Sequence, residues 1–317
     1  MSESHELIVD RLPCGMNRCS LKHFAAGRLS VYNAPPTSIP PILTSHIRVF
    51  DTTMPFFARS NELTLFYTVH GDPTKPPFLL IHGWCCDSAD WVFTIPALVQ
   101  DYFVITCDHR GHGHSSAPET TTYTVQDMVA DAAALLKHLS IPKDVLVMGH
   151  SMGGIVASAL TCLHPELFVG LVVLDPPYWR SKAFWADMLP QWDEMQNGLM
   201  FVTKAFGDQL SPSVPAWRLT WIGMRGLATS EHAVGASLKG TFGPDMLGQM
   251  EVHQKLVKGR TIPKLAFYMR EENAELERSL GVGQLDQIIR IDDAGHWFHH
   301  VKADEFNALL RGWLATI

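Results

Sequence analysis

Leu146-Val147-Met148-Gly149-His150-Ser151-Met152-Gly153-Gly154 is the stretch on which the fold of this chain turns. An apolar run stops at Gly149, and small residues then open a segment with helical spacing, so a strand is predicted to turn sharply into a helix. Gly-x-Ser-x-Gly at such a junction forms a nucleophile elbow that lifts the serine clear of its neighbours. Gly149 and Gly153 carry no side chain, which lets two backbone segments pass closely while Ser151 takes a strained turn geometry. Serine is a weak nucleophile at neutral pH. It needs a base within hydrogen-bond reach, an acid to orient that base, and donors for an oxyanion. Those partners have to come from elsewhere in the chain.

Outward from the elbow, strand and helix signals alternate. Leu63 to Val69 sets Leu65, Tyr67 and Val69 against Thr64, Phe66 and Thr68 and predicts a strand, as does His46 to Phe50. Phe78-Leu79-Leu80-Ile81 and Val104-Ile105-Thr106-Cys107 are short continuous apolar runs of the kind buried on both faces of a parallel sheet. They end at His82-Gly83-Trp84 and at Asp108 to Ser115. Between Thr124 and Leu139, the residues Val125, Met128, Val129, Ala132, Leu135, Leu136 and Leu139 fall on one helix face. Thr124 and Asp127 have the spacing of a capping box, and Ile141-Pro142 stops the helix. Beyond the elbow, Ile155 to Leu163 predicts a helix lying close to the sheet, and Leu171-Val172-Val173-Leu174 a strand ending at Asp175. The sheet resumes at Ile262 to Tyr268 and at Gln287 to Ile291, and a last helix spans Ala303 to Leu314.

This order predicts an α/β fold: a mostly parallel central sheet with right-handed crossovers and helices on both faces. Residues 46–175 and 261–317 are assigned to that core. Between them, residues 176–260 hold five of the nine tryptophans (Trp179, Trp185, Trp192, Trp217, Trp221) and six of the thirteen methionines, with no β-branched run. They predict a helical lid over the strand ends. Residues 1–45 finish in Ala34-Pro35-Pro36-Thr37-Ser38-Ile39-Pro40-Pro41, which cannot sit inside a sheet and is expected to be a poorly ordered, extended arm.

Composition narrows the function. The 317 residues carry a net charge of -7 with no Lys/Arg cluster, which argues against a nucleic-acid partner. No apolar run reaches the roughly 18 to 20 residues needed to span a bilayer, so no membrane segment is expected. The six cysteines, Cys14, Cys19, Cys85, Cys86, Cys107 and Cys162, lack the spacing of a disulfide framework and read as reduced thiols. A signal peptide is disfavoured by Glu3, Glu6 and Asp10, and the cytoplasm is the expected location. Oligomeric state is not legible.

In open α/β sheets, ligands bind outside the carboxyl ends of the strands. The polar motifs all fall at such ends: His82-Gly83-Trp84 after one strand, Ser151 after another, Asp175 after a third and His296 after the last, within Asp293-Ala294-Gly295-His296-Trp297. The order Ser, acid, His suits Ser151 as nucleophile and His296 as base.

On His82-Gly83-Trp84, Asp108 to Ser115, Gly149 to Gly154 and Gly295-His296-Trp297, in that order, the sequence from about residue 46 onward resembles the α/β-hydrolase superfamily. It is similar to its single-domain esterases and lactonases, including enol-lactone and mycotoxin-lactone hydrolases, and to carbon–carbon bond hydrolases. The resemblance implies an oxyanion hole from the backbone N–H groups of Met152 and Trp84, each worth about 3 to 4 kcal/mol in the transition state. For the acid it implies two positions. Relatives usually carry a glycine and then an aspartate after the strand that begins near Pro263, whereas this chain reads Tyr268-Met269-Arg270-Glu271-Glu272-Asn273, so Glu272 stands about where that aspartate would. The other position is the preceding strand end, Asp175, where two following prolines stiffen the turn; Asp175 is preferred and Glu272 is the alternative.

Other candidates have plainer explanations. His109, His112, His114, His299 and His300 are dense, but no Asp/Cys spacing fits a zinc site, so no metal and no cofactor are expected. His82 and His150 are read as supports of turns, Asp108 and Arg110 as fixing the backbone of their loop. Cys85 and Cys86 could be oxidation-sensitive but lack a paired base. Trp84, Trp179, Trp185, Trp217 and Trp221 are the candidates to line a site for an apolar small-molecule substrate, the insertion's tryptophans being expected mostly in the core with one or two facing the substrate. The function that follows is a serine hydrolase cleaving an ester or lactone through an acyl-enzyme, in secondary metabolism. The same triad would also serve acyl transfer, thioester release or carbon–carbon hydrolysis, and the pocket alone would serve a non-catalytic receptor.

Overall fold

The computed structural model of the chain describes residues 55–194 and 214–317, with backbone only at 191–194. The expected N-terminal arm, residues 1–45, and the expected strand His46 to Phe50 lie outside the described residues. Eight strands form one sheet in the order β1-β2-β4-β3-β5-β6-β7-β8. They are β1 (Phe56–Ala58), β2 (Thr64–His70), β3 (Pro77–Ile81), β4 (Phe103–Cys107), β5 (Val145–His150), β6 (Phe168–Leu174), β7 (Lys264–Tyr268) and β8 (Gln287–Arg290). β1 and β2 run antiparallel to their neighbours, and the rest of the sheet is parallel.

Side chains alternate across the strands, and each face has its own helices. On one face Leu79, Ile81, Ile105 and Val147 pack with Val125, Met128, Ala132 and Leu135 of a helix Val125–His138 and with Ile155, Ala159 and Leu160 of a helix Met152–Leu163. On the other, Phe78, Leu80, Met148, Val172 and Phe267 meet Trp91, Leu98, Phe298 and the Phe306, Leu310 and Trp313 stripe of the final helix. In chain order the core helices up to β6 are α1 (Ile95–Leu98), α2 (Val125–His138) and α3 (Met152–Leu163). The capping box forms: Thr124 Oγ1 accepts from Asp127 N at 3.1 Å, and Asp127 Oδ2 accepts from Thr124 N at 2.9 Å.

Between β6 and β7 the described elements are all helical: α4 (Lys182–Glu194), α5 (Ala216–Ala228), α6 (Glu231–Phe242) and α7 (Met250–Val257). After β7 come α8 (Glu271–Ser279), then β8, α9 (Phe298–Val301) and α10 (Ala303–Leu314). The final helix has the bounds expected from its apolar stripe. No helix among the described residues is long and apolar enough to cross a membrane.

The sheet reverses direction of winding between β3 and β5. The chain leaves β3 for β4 on one side and returns to β5 on the other, which makes the carboxyl ends of those two strands the switch point where open α/β sheets bind their ligands. His82 and Gly83 leave β3 there, and Ser151 leaves β5.

Buried neutral histidines mark these strand ends. His82 Nε2 accepts the backbone N–H of His109 at 2.9 Å, which leaves its proton on Nδ1 to donate to Gly83 O at 2.7 Å. Burial holds the pKa of His82 at about 3, and burial does the same for His253. An unfolded histidine titrates near 6.5, so below that pH the unfolded chain takes up protons that the native one refuses. Stability is therefore full above pH 6.5 and falls as pH drops toward 3, by about 1.4 kcal/mol per pH unit for each such histidine. Urea midpoints should drop clearly from pH 7.5 to pH 5.5; equal midpoints would contradict this account.

Candidate active site

Close backbone packing shapes the elbow. A Cβ at residue 149 would lie 2.1 Å from Gly153 O, and one at residue 153 would lie 2.2 Å from Ile81 O. Only glycine fits at both positions, and Ser151 between them is held at φ 54°, ψ -120°. This is a strained conformation for a non-glycine residue, kept because the surroundings over-determine it. Ser151 N donates to Leu174 O at 2.8 Å, which ties the turn to the end of β6. Ser151 heads α3, so the positive end of that helix lies at its side chain.

Asp175 follows β6 at φ 44°, with its N–H donating to Phe267 O at 2.8 Å. His296 stands on the loop between β8 and α9. Its Nδ1–H donates to Asp175 Oδ2 at 2.6 Å, and both side chains are buried. Met269 N also points at Asp175, 3.4 Å from Oδ1. With the proton on Nδ1, Nε2 is left as the ring's lone pair, the form a general base requires. The His296 ring lies 4.6 Å from the ring of His150, the residue before Ser151. Of the two carboxylates left open by the sequence, Asp175 is the one brought to His296. Glu272 is exposed on the first turn of α8.

The two backbone groups assigned to an oxyanion hole sit beside the elbow. Met152 is the first residue of α3, where an N–H has no acceptor within its own helix. Trp84 lies in a tight turn closed by Cys86 N donating to Gly83 O at 3.2 Å. Cys85 of that turn has φ 53°, and a Cβ at residue 83 would lie 3.2 Å from Ser151 Cβ. Burial pushes the Cys85 and Cys86 thiols well above their usual range, so neither is a thiolate at neutral pH.

The tryptophans are spread over several environments, with Trp84 and Trp221 packed on the cluster of Cys85, Cys86, Ile222, Val234 and Trp297. Trp179 is buried with Nε1 donating to Tyr268 OH at 3.1 Å, and Trp185 stacks on Phe242 at 3.8 Å; both belong to the core on the α2/α3 face. Trp217 is 57% exposed on α5. Trp84 Nε1 donates to Val234 O of α6 at 3.1 Å, which pins its ring to the helical insertion. Trp221 packs near His300, with ring centroids 5.2 Å apart. Richness in tryptophan reported the apolar bulk of the insertion; it carried no information on direction.

Sequence reasoning missed Asp90 and Arg225. Asp90 is fully buried after β3, and ion pairing with Arg225 and His150 holds its carboxyl well below the usual range despite the burial. His150 Nδ1 is 2.9 Å from Asp90 Oδ2 and its Nε2 is 3.1 Å from His296 O. Both neighbours are acceptors. The ring meets both at once only when protonated twice; burial works against that charge and lowers the His150 pKa to about 4, while Asp90 pulls upward. Asp90, His299 and His300 also bring ligand atoms within 4.8 Å of one another, a grouping that the sequence spacing did not show. The carboxylate is already faced by Arg225 and His150, and His300 Nε2 donates to Asp90 O at 2.6 Å. A cation there would stand beside a guanidinium.

Strand order, elbow and strand-end cluster together define the α/β-hydrolase fold. Residues 76–223 match the family model for that fold. A human serine hydrolase-like protein is 31% identical over 136 residues, 43% of this chain and 62% of that one. An AB hydrolase superfamily protein, YfhM of Bacillus subtilis, is 25% identical over 81% of this chain and 96% of its own length. Among solved structures, the enol-lactonase of Burkholderia xenovorans superposes with a TM-score of 0.68 at 20% identity, covering 82% of this chain and 100% of that one. These matches show that the chain has the α/β-hydrolase fold. Its match spans about three fifths of the human relative's length.

Ser151 sits in a strained turn at the head of α3, and a serine-directed probe tests its reactivity. An alkyl fluorophosphonate should add its phosphonyl mass to the peptide carrying Ser151 and to no peptide of Ser151→Ala. Asp175→Asn should slow labelling by about 10^3-fold or more, as loss of the orienting carboxylate does in other triads, and Glu272→Gln should label like the wild type. The opposite ranking of the two variants would hand the acid role to Glu272.

Proposed function

We propose that the chain is a serine hydrolase that cleaves the ester or lactone bond of an apolar small molecule through an acyl-enzyme. The observation that carries this is the 2.6 Å contact from His296 Nδ1 to Asp175 Oδ2 at the strand ends beside an elbow serine. Ser151 Oγ attacks the substrate carbonyl as His296 Nε2 takes its proton. Asp175 holds the ring in the right tautomer and stabilises the imidazolium that forms. The oxyanion is met by Met152 N–H and Trp84 N–H, aided by the positive end of α3. His296 then returns the proton to the leaving alkoxide. In the second half-reaction it removes a proton from water, which attacks the acyl-Ser151 ester and frees the acid.

The substrate class rests on what surrounds the elbow. Helices α5 and α6 of the insertion, which we infer to be the lid, pack Ile222 and Val234 with Cys85, Cys86 and Trp297, so the approaches to Ser151 are framed by apolar side chains. The free thiols at Cys85, Cys86, Cys107 and Cys162 support a reducing, cytoplasmic setting.

A graded series of chromogenic esters and lactones, assayed with wild type and Ser151→Ala, tests this. Turnover should rise with acyl length, and the alanine variant should lose roughly 10^4-fold or more in kcat. Equal rates for the two proteins would sink the hydrolase reading.

A further inference from the structure

Asp90 is a fully buried carboxylate that no step of the proposed reaction uses. Three parts of the chain converge on it. From the elbow, His150 Nδ1 comes to 2.9 Å of Oδ2. From the segment after the base, His300 Nε2 donates to the Asp90 carbonyl at 2.6 Å, and His299 Nε2 lies 3.6 Å from Oδ2. From the insertion, Arg225 on α5 donates from Nη1 and Nη2 to Oδ1 at 3.3 and 3.2 Å. The far nitrogen of His150 is 3.1 Å from the main-chain oxygen of His296. A line of contacts therefore runs from α5 through Asp90 and His150 to the backbone of the base, one of the two His150 contacts being a hydrogen bond from the neutral ring and the other a packing contact.

The line is stiff at its outer end. Arg225 is buried, its Nε donates to Asp87 Oδ1 at 3.0 Å, and its guanidinium lies 4.7 Å from the Trp221 ring centroid. A planar fork held on two carboxylates and one ring has a single seat. Moving α5 away from that seat would strip Asp90 of the cation that matches its charge in a dry site. α5 also supplies Ile222, which packs with Cys85 and Cys86 of the oxyanion turn and with Trp297, the residue after the base.

We propose that Asp90 is a positioning residue that couples the helical insertion to the base: it holds the His296 main chain through His150 and holds α5 through Arg225. Seating of α5 and placement of the His296 ring then change together. A substrate that presses α5 into its seat raises kcat, whereas one that merely fills the pocket lowers KM. The inference rests on Ser151, His296 and Asp175 being the reacting groups.

Steady-state kinetics on an ester that Ser151→Ala does not turn over, with histidine-selective 15N NMR of the full chain, test it. Arg225→Lys keeps the charge but loses the fork. It should lower kcat about 10-fold with KM unchanged, within the range seen when outer hydrogen-bond partners of a functional histidine are removed, and should displace the His296 ring resonances. Asp90→Asn should act in the same direction and at least as strongly. The double variant should be no slower than Asp90→Asn alone, because both changes act through one carboxylate. If Asp90→Asn does not fold, His150→Gln takes its place in the cycle. Multiplying effects, or an Arg225→Lys that alters KM alone with His296 resonances unmoved, would overturn the coupling. Should the wild type turn over no ester at all, the catalytic reading fails, and the NMR arm still decides whether α5 reaches the base.

Discussion

The hydrogen bond from His296 Nδ1 to Asp175 Oδ2 is the contact on which the chemistry proposed for these strand ends depends. It joins residues 121 positions apart, so it exists only if the sheet brings the end of β6 level with the loop after β8. The parallel register does this: Leu174 pairs with Phe267, and Phe267 with Ile289. Backbone bonds then carry the register past the strand ends, with Ser151 N on Leu174 O and Asp175 N on Phe267 O. Ser151 and Asp175 both take positive φ there, at 54° and 44°. Two turns bent out of ordinary backbone space at adjacent strand ends are tolerated only because the sheet beneath them is fully buried and cannot relax.

Much of this was legible because the informative residues are local. The elbow needs five consecutive positions, the capping box of α2 four, and the stripe of α10 one helical period, so each is visible in a short window. The short strand β1, Phe56-Phe57-Ala58, was missed because three residues make no period. The acid was ambiguous for a different reason. Asp175 and Glu272 each stand at or just beyond the end of a strand, and only the three-dimensional path of the His296 loop separates them. Arg225 and Asp90 were invisible for the same cause in stronger form: they are 135 residues apart, and neither sits in a pattern that announces a partner. An arginine on an amphipathic helix reads as a surface charge until the carboxylate beneath it is located.

The tryptophans show what composition alone leaves open. Their number marked 176–260 as apolar, and the described helices of that stretch are, but direction depends on which helix face meets the core. Trp185 stacks on Phe242 and Trp179 bonds to Tyr268, so both are held in the core by packing and polar anchoring. Trp84 is held by its indole N–H on Val234 O, which makes it a strut between the oxyanion turn and α6. A large aromatic with one donor is well suited to that double task.

Two histidine–carboxylate pairs lie side by side at the site, and comparing them shows why one is suited to reaction and the other to support. In both, Nδ1 faces a buried aspartate, at 2.6 Å for His296 and 2.9 Å for His150. The difference is at the other nitrogen. His150 Nε2 faces the His296 carbonyl, so both nitrogens of that ring are turned to acceptors within the protein. His296 donates at Nδ1 alone and keeps Nε2 as a lone pair. The carboxylates differ as well, since Asp90 has its charge matched by Arg225 while Asp175 faces His296 and a backbone N–H. A carboxylate already neutralised by a guanidinium gains little from a proton arriving on its histidine, and one without such a partner gains a full ion pair in a low-dielectric setting. In the proposed reaction a developing imidazolium is therefore better stabilised at His296 than at His150, and what stands behind each carboxylate distinguishes the two pairs.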